Sequence, residues 1–365
     1  MKHLPLASAA EQTRLPTSAE PVRNRQRMLS QARHAAYPQT LDDLRALVLS
    51  PFAGDIVSPL APAHAVVVAA ELLAEAREAS DGAAIAQAMA ALPCPVVALG
   101  PDVSDMCDVA VETEAECAAT LANIERSPIA ATVLVQVLRA TPALSLAEGL
   151  KLESLAYATL QAGPEHKAWL AGHRPAQTVA APENGPQLLM ERDGDALHLT
   201  LNRPTRYNAL SVELRDALCE ALRLVLADPT IERVSISGAG RCFSIGGDLD
   251  EFGTAPDPAT AHAIRAIRMP ALFLSRCADR VAFSLHGACI GAGVELPAFG
   301  RRVVAAQNSF FQLPELRFGL IPGAGGCISL PRRIGRHRTA WLALTGRRVG
   351  AAKALDWGLV DALSD

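Results

Sequence analysis

The sequence predicts an α/β protein built from two layered units that are joined by a proline-rich linker. Three observations carry that reading. The chain has 365 residues, and at roughly 150 residues per domain this is room for two cores. Short apolar runs alternate with alanine-rich helical stretches between residues 41 and 171, the pattern of a sheet layered with helices. The segment 172–187, GHRPAQTVAAPENGPQ, breaks that pattern with Pro175, Pro182 and Pro186 and reads as a linker.

The elements follow in order. Residues 1–40 mix Pro, Ser, Gln and Arg without periodicity and read as an irregular arm. AHAVVVAA (63–70), CPVVALG (94–100) and DVAVET (108–113) read as strands, and LDDLRALVL, LLAEAREA, AIAQAMAAL and ECAATLANIER as helices, the last ending near Pro128. Past the linker, LLMERDGDALHLTL (188–201) reads as a hairpin turning at Asp193-Gly194. Ser211 suits the cap of a helix that Asp228-Pro229 stops near Ala227. VSIS (234–237) is a buried strand followed by the loop GAGRCFSIGGDLDEF. A long helix over about 258–279 then leads into strand RVAFSL (280–285) and the turn HGACIGAGVEL. Strand VVAA (303–306), the segment FFQLPELRFGLIPGAGG and a helix near 328–345 complete the chain.

Composition narrows the function. Half of the residues are hydrophobic and 20% are charged, with a net charge of -4, so the chain is globular and not disordered. This balance gives no support to a nucleic acid or an anionic membrane as partner, and 4% aromatic residues argue against a base-stacking platform. The longest apolar stretch is interrupted by Glu71 and Glu75, well short of the roughly 18 residues of a membrane span. Eight cysteines, with no Cys-x-x-Cys and no zinc spacing, are expected to be reduced thiols in a cytoplasmic protein. No apolar h-region marks a signal peptide. The arginine-rich, acid-poor stretch to Arg33 leaves a mitochondrial transit segment as the other option.

Two strand-to-glycine transitions carry the chemistry. Gly246-Gly247 opens a loop and Gly291-Ala292-Gly293 opens a helix. Small residues allow close approach, and first-turn amides have no helical partner, so two such N–H groups can converge on one oxygen. Ordinary tight turns are the competing reading of each loop. Glu295 and Glu315 flank these loops as a candidate acid and base, against the plainer reading of carboxylates favouring a helix N-terminus. Gly323-Ala324-Gly325-Gly326 lacks the Gly-Lys-Ser/Thr ending of a phosphate loop. Asp248, Asp250 and Glu251 lack calcium-loop spacing, so no metal is expected, and Asp248 suits a loop-stabilising role. His286 reads as packing or as an outer hydrogen bond. Arg203 and Arg206 could meet a phosphate or lie solvated.

At this point the residues resemble a known family. Residues 188–363 are similar almost end to end to the enoyl-CoA hydratase/isomerase (crotonase) superfamily. LNRPTRYNALS, FSIGGDLDEF, HGACIGAGVEL and LPELRFGLIPGAGG with the following RRIGRHRTAWLALTGRRVGAAKALDWGLVDAL match its motifs in order. The resemblance implies a crotonase-like core of ββα spiral repeats over 188–365, with oxyanion amides at Gly247 and Ala292. It also implies catalytic carboxylates at Glu295 and Glu315, and substrate or CoA contacts at Arg206, Ala209, Ile245, Asp248 and Leu249. The implied reaction is syn addition of water to a 2-enoyl-CoA with no cofactor beyond the CoA of the substrate. Isomerase or other enolate chemistry, and a non-catalytic acyl-CoA-binding or assembly role, are the alternatives. A homotrimer or hexamer is implied as well.

The chain departs from the pattern at Arg301, where aspartate is common, at Pro297, early in the helix of Glu295, and in a short lid-side loop after Phe252. Relatives also continue past GLVDAL with helices that cover the CoA site. Here residues 127–175 resemble that tail although they precede the core, so 41–171 reads as an atypical α/β half, either a shrunken copy of the family or a permuted tail. Its helices are expected to cover the site of their own or of a neighbouring subunit.

Overall fold

A computed structural model of the chain describes residues 34–101, 105–174 and 185–364. The first half is a four-stranded parallel sheet in the order β1 (Ala35–Ala36), β2 (Ala65–Ala69), β3 (Val96–Leu99), β4 (Val109–Val111). The strands read as unbroken apolar runs because both faces are covered. Val66, Val68, Val96 and Ala98 face α1 (Leu41–Val48), α2 (Ala70–Glu78) and α3 (Gly82–Ala91), where Leu44, Leu73, Ile85 and Met89 are fully buried. The alternate residues Ala65, Val67, Val97 and Leu99 turn the other way, into the main core of the molecule.

Four helices complete this half: α4 (Glu114–Arg126), α5 (Pro128–Ala140), α6 (Leu146–Gln161) and α7 (Pro164–Gly172). Thr113 caps α4, Pro128 starts α5 at a position where its missing N–H costs nothing, and Ser145 with Glu148 forms a capping box on α6. Arg139 ties α5 to the sheet edge. Its guanidinium meets Asp108 at 2.6 Å, and it donates to the Leu92 and Cys94 carbonyls at 2.6 and 3.0 Å.

The second half is a six-stranded sheet in the order β13-β10-β8-β7-β6-β5, with β5 (Leu188–Asp193), β6 (Ala196–Leu201), β7 (Arg233–Gly238), β8 (Val281–Leu285), β10 (Arg302–Ala306) and β13 (Ala362–Ser364). Only the β5–β6 hairpin is antiparallel. A three-stranded sheet joins β9 (Ala288–Ile290), β11 (Phe310–Gln312) and β12 (Val349–Gly350), with β9 and β11 parallel. The helices are α8 (Val212–Ala227), α9 (Pro258–Arg265), α10 (Pro270–Cys277), α11 (Ala292–Glu295), α12 (Gly326–Ile334), α13 (Arg336–Thr345) and α14 (Ala351–Asp356).

Several expectations are corrected. The arm does not stay irregular to residue 40, because Ala35 and Ala36 pair with β2 and Thr40 caps α1. Residues 1–33 and the linker residues 175–184 lie outside the described residues. The hairpin turns at Gly194-Asp195, one residue later than expected, since Asp193 still pairs with Ala196. The long helix over 258–279 is two, α9 and α10. Pro270 forces Met269 into extended backbone (φ -113°, ψ 124°) and starts the second helix. The helix near 328–345 is likewise two, broken at Gly335 with φ +84°.

The largest correction concerns independence. Beside the core that the first half buries by itself, the two halves share a larger one: Leu121, Leu134, Leu138, Leu150 and Leu160 belong to the same apolar cluster as Leu197, Ile236, Ile328 and Leu344. Polar contacts follow the same seam. Asn123 donates to the Leu344 and Thr345 carbonyls, Ser127 to Leu316 O and Arg336 to Cys107 O. All eight cysteines are buried and none forms a disulfide.

Candidate active site

The C-terminal ends of the parallel segments converge on one cleft, the usual place for a ligand in such sheets. The loop after β7 is held by Asn208. Its Nδ2 donates to the Ala239, Cys242 and Phe243 carbonyls at 2.9–3.0 Å, and its Oδ1 accepts from Arg203 N at 2.8 Å. Asn208 has φ +53°, a conformation asparagine tolerates better than most residues. Asn208→Ala is therefore expected to cost about 3 kcal/mol, measured by urea unfolding, since four backbone groups, three of them in buried bonds, lose their partner at once.

With that loop fixed, Leu210 N donates to Gly246 O (2.7 Å) and Asp248 N to Leu210 O (3.2 Å). The intervening Gly247 amide points away from this pairing and has no acceptor among the described residues. Ala292, the first residue of α11, likewise has a first-turn amide without a helical partner. Both residues line the same cleft of about 1100 Å³.

Two carboxylates enter from separate elements. Glu295 ends α11 and is buried, its Oε2 accepting from Ala324 N at 2.6 Å and from Gly326 N at 2.9 Å. Glu315, just after β11, is partly buried at the cleft wall, with a shielded Oε2 that has no hydrogen-bond partner. Gly291 makes the approach possible: at φ +52° it starts α11, and a Cβ there would sit 2.7 Å from Glu315 Oε1. A third carboxylate, Glu153 of α6, comes from the first half and accepts from Gly325 N (2.8 Å) and Cys327 N (2.9 Å).

Burial dominates the electrostatics. It pushes Glu295 up to about 7, opposed by the amides of Ala324 and Gly326 and by Arg265. Glu315 is raised well above the carboxylate range by burial and then by the charges of Glu295 and Glu153. Glu153 is raised by burial and by Glu295, with Arg265 and its two amides opposing. Arg265 is the cation facing this group. It lies 4.0 Å from Glu153, donates to Gly323 O and covers the Tyr157 ring at 4.3 Å.

All nine residues to which the resemblance gives a site role border this cleft: Arg206, Ala209, Ile245, Gly247, Asp248, Leu249, Ala292, Glu295 and Glu315. The Asp248 carboxylate, however, is engaged inside the loop by Arg203 (3.0 Å) and Asp250 N (3.3 Å). Arg203 is buried in that pair and also bonds Ala209 O, so it is not a phosphate ligand. Arg206 pairs with Asp250 at 3.0 Å on the cleft rim. Glu251 accepts from Val212 N, so each acid of this loop has its own partner, and no metal-binding cluster occurs among the described residues. His286 bonds Gly240 O outside the cleft.

Sequence reasoning gave no site role to Glu153, Tyr157, Gln161 and Arg265. The first three are on α6, within the segment 127–175 whose leucine, Glu153 and aromatic pattern resembles the family's tail, a resemblance that assigns them no contact with the site. Tyr157, Gln161 and His173 line the cleft, so the first half walls the site of its own chain. Trp169 of α7 packs on Phe318 and Phe252 with ring centroids 5.0 and 5.9 Å apart, closing that wall.

A cleft with two backbone donors and two carboxylates has the groups needed to stabilise an oxyanion and to move protons beside it. Residues 191–364 match the family model for enoyl-CoA hydratase/isomerase. The chain is 34% identical over 177 residues to 1,2-epoxyphenylacetyl-CoA isomerase of Escherichia coli (strain K12), covering 47% of this chain and 68% of that protein. It is 35% identical over 176 residues to 2,3-dehydroadipyl-CoA hydratase of the same organism, covering 48% and 68%. It is 30% identical over 178 residues to trans-2-decenoyl-[acyl-carrier-protein] isomerase of Streptococcus mutans serotype c (strain ATCC 700610 / UA159), covering 48% and 68%. The chain belongs to the enoyl-CoA hydratase/isomerase, or crotonase, family, and its C-terminal region has the crotonase-like α/β fold.

Proposed function

We infer that the protein hydrates a 2-enoyl-CoA thioester to a 3-hydroxyacyl-CoA. The observation that carries this reading is that two carboxylates, Glu295 and Glu315, line one cleft with the free amides of Gly247 and Ala292. The thioester oxygen accepts from those two amides, which offset the negative charge that develops there as water adds. Glu295, anchored by two amides, takes the proton of the water that attacks the β-carbon. Glu315, whose raised proton affinity keeps it neutral, delivers a proton to the α-carbon. Arg206, Ala209, Ile245, Asp248 and Leu249 border the entrance side assigned to the CoA portion, Asp248 through its loop and not its engaged carboxylate. No cofactor is required in this scheme. The helices of residues 127–172 serve as the cover that family members build from their C-terminal tails, and trimeric or hexameric assembly and a cytoplasmic location belong to the same reading. Among the described residues no helix is long and apolar enough to cross a membrane.

Isomerisation is the second reading, favoured by the likeness to two isomerases, at 34% and 30% identity beside 35% for the hydratase. A panel of 2-enoyl- and 3-enoyl-CoA thioesters separates the two: hydration removes the conjugated absorbance of the former, and isomerisation creates it from the latter. The pH dependence is a further expected outcome. Glu295 works ionised, and its pKa is raised to about 7, so kcat/KM rises through neutral pH and not through the ordinary carboxylate range. It falls again at higher pH as Glu315 loses the proton it donates. A rate already level at pH 5–6 would contradict Glu295 as the base.

A further inference from the structure

One turn is held by carboxylates from opposite halves of the chain. Four successive amides alternate: Ala324 and Gly326 donate to Glu295, while Gly325 and Cys327 donate to Glu153 at 2.8 and 2.9 Å. An ordinary helix start needs only a neighbouring Ser, Thr, Asp or Asn. Here the partner is a glutamate 172 positions away, 2% exposed, on an element outside the family match. Burying a carboxylate is costly unless it is paired and fully hydrogen-bonded. Glu153 has both amides and the Arg265 guanidinium at 4.0 Å, and Arg265 in turn bonds Gly323 O on the same turn. The next residue, Ser154, bonds His262 Nδ1 at 2.9 Å and so ties α6 to α9.

We propose that Glu153 is a positioning residue for the reaction: it fixes the Gly323–Cys327 turn from the side opposite Glu295 and thereby sets where the Glu295 carboxylate points. A second consequence is electrostatic. Glu295, when ionised, opposes ionisation of Glu153, while Arg265 favours ionisation of both. The other titratable groups facing the pair are Tyr157 on α6, Cys327 on α12 and Glu315 after β11. The inference rests on Glu295 acting as the base in the reading above.

Glu153→Gln in the full chain is the test, since glutamine keeps the size and one acceptor but loses the charge. With crotonyl-CoA as substrate, kcat is expected to fall by about 10- to 100-fold with KM within about twofold, as for a misplaced catalytic group. The acid limb of the kcat profile stays near neutral pH, because Glu153 is raised to about 8, above the value of about 7 for Glu295, and is still protonated when Glu295 ionises. Infrared titration of the buried protonated carboxyl bands gives a readout without turnover: one titrating group disappears, and the Glu295 band shifts as its hydrogen bonds to the released turn change. Arg265→Gln moves the limb and the transition up. If no enoyl thioester is turned over, the hydratase reading fails, and the infrared titration alone decides this proposal. If Glu153→Gln does not fold, the Arg265→Gln titration decides. A folded Glu153→Gln protein with an unmoved Glu295 band and a kcat within about twofold of the native enzyme overturns the proposal, even if its stability is lower. An Arg265→Gln protein with an unmoved transition does the same.

Discussion

Glu315→Gln is expected to lower the turnover of a 2-enoyl-CoA by about 10²- to 10⁴-fold, the usual contribution of one positioned proton donor or acceptor. The side chain invites a clean test. Its Oε2 has no partner, so an amide in its place breaks no hydrogen bond of the fold. Its burial already disfavours the charged form, so a neutral substitute does not cost stability there. Glu295→Gln is expected to lose as much. Both anchoring amides reach the same oxygen, Oε2, which the glutamine carbonyl replaces while its NH₂ takes the cleft-facing position. KM changes little in either variant, because neither carboxylate lies on the side assigned to the CoA handle. Steady-state rates on the best substrate of the enoyl panel are the measurement. Near-full activity in either folded variant removes hydration as the assigned reaction.

Expressing residues 186–365 alone is expected to give no soluble, active protein. The large apolar cluster runs through α4, α5 and α6, whose Leu121, Ile124, Leu134, Leu138, Leu150 and Leu160 sit against the second half. Removing them uncovers a face well beyond the few hundred Å² that soluble monomers tolerate. It also leaves the Gly325 and Cys327 amides and the Leu344 and Thr345 carbonyls without their partners. Solubility, sedimentation and activity of the fragment decide the matter. A soluble, monomeric and fully active fragment would show that the first half is an appendage.

What was legible in the sequence was local. The β5–β6 hairpin, the Ser211 cap and the parallel strands of the first half are written in short-range patterns, and so are the glycine loops that carry Gly247 and Ala292. Helix breaks at Pro270 and Gly335 were also present as signals, but the apolar periodicity on either side masked them. Arg203 and Arg206 look alike in sequence. Only the fold shows that one is sealed against Asp248 while the other stays on the rim. Glu153 was beyond reach for a different reason: its partners are backbone amides of a distant turn, which no side-chain pattern announces. The shared core has the same origin, since an amphipathic helix records that it has a buried face but not what covers it.

The order of the halves also bears on how the protein is made. Helices α4 to α6 leave the ribosome before the Gly325 and Thr345 backbone groups that they bond, which follow 172 to 222 positions later. At about 5–20 residues per second that interval is roughly 10–40 s. Throughout it Leu134, Leu138 and Leu150 are on helices already made, with no pocket yet to cover. The nascent chain is therefore a natural client for chaperones that shield apolar helices, and unassisted refolding at high concentration favours aggregation over closure of so distant a contact.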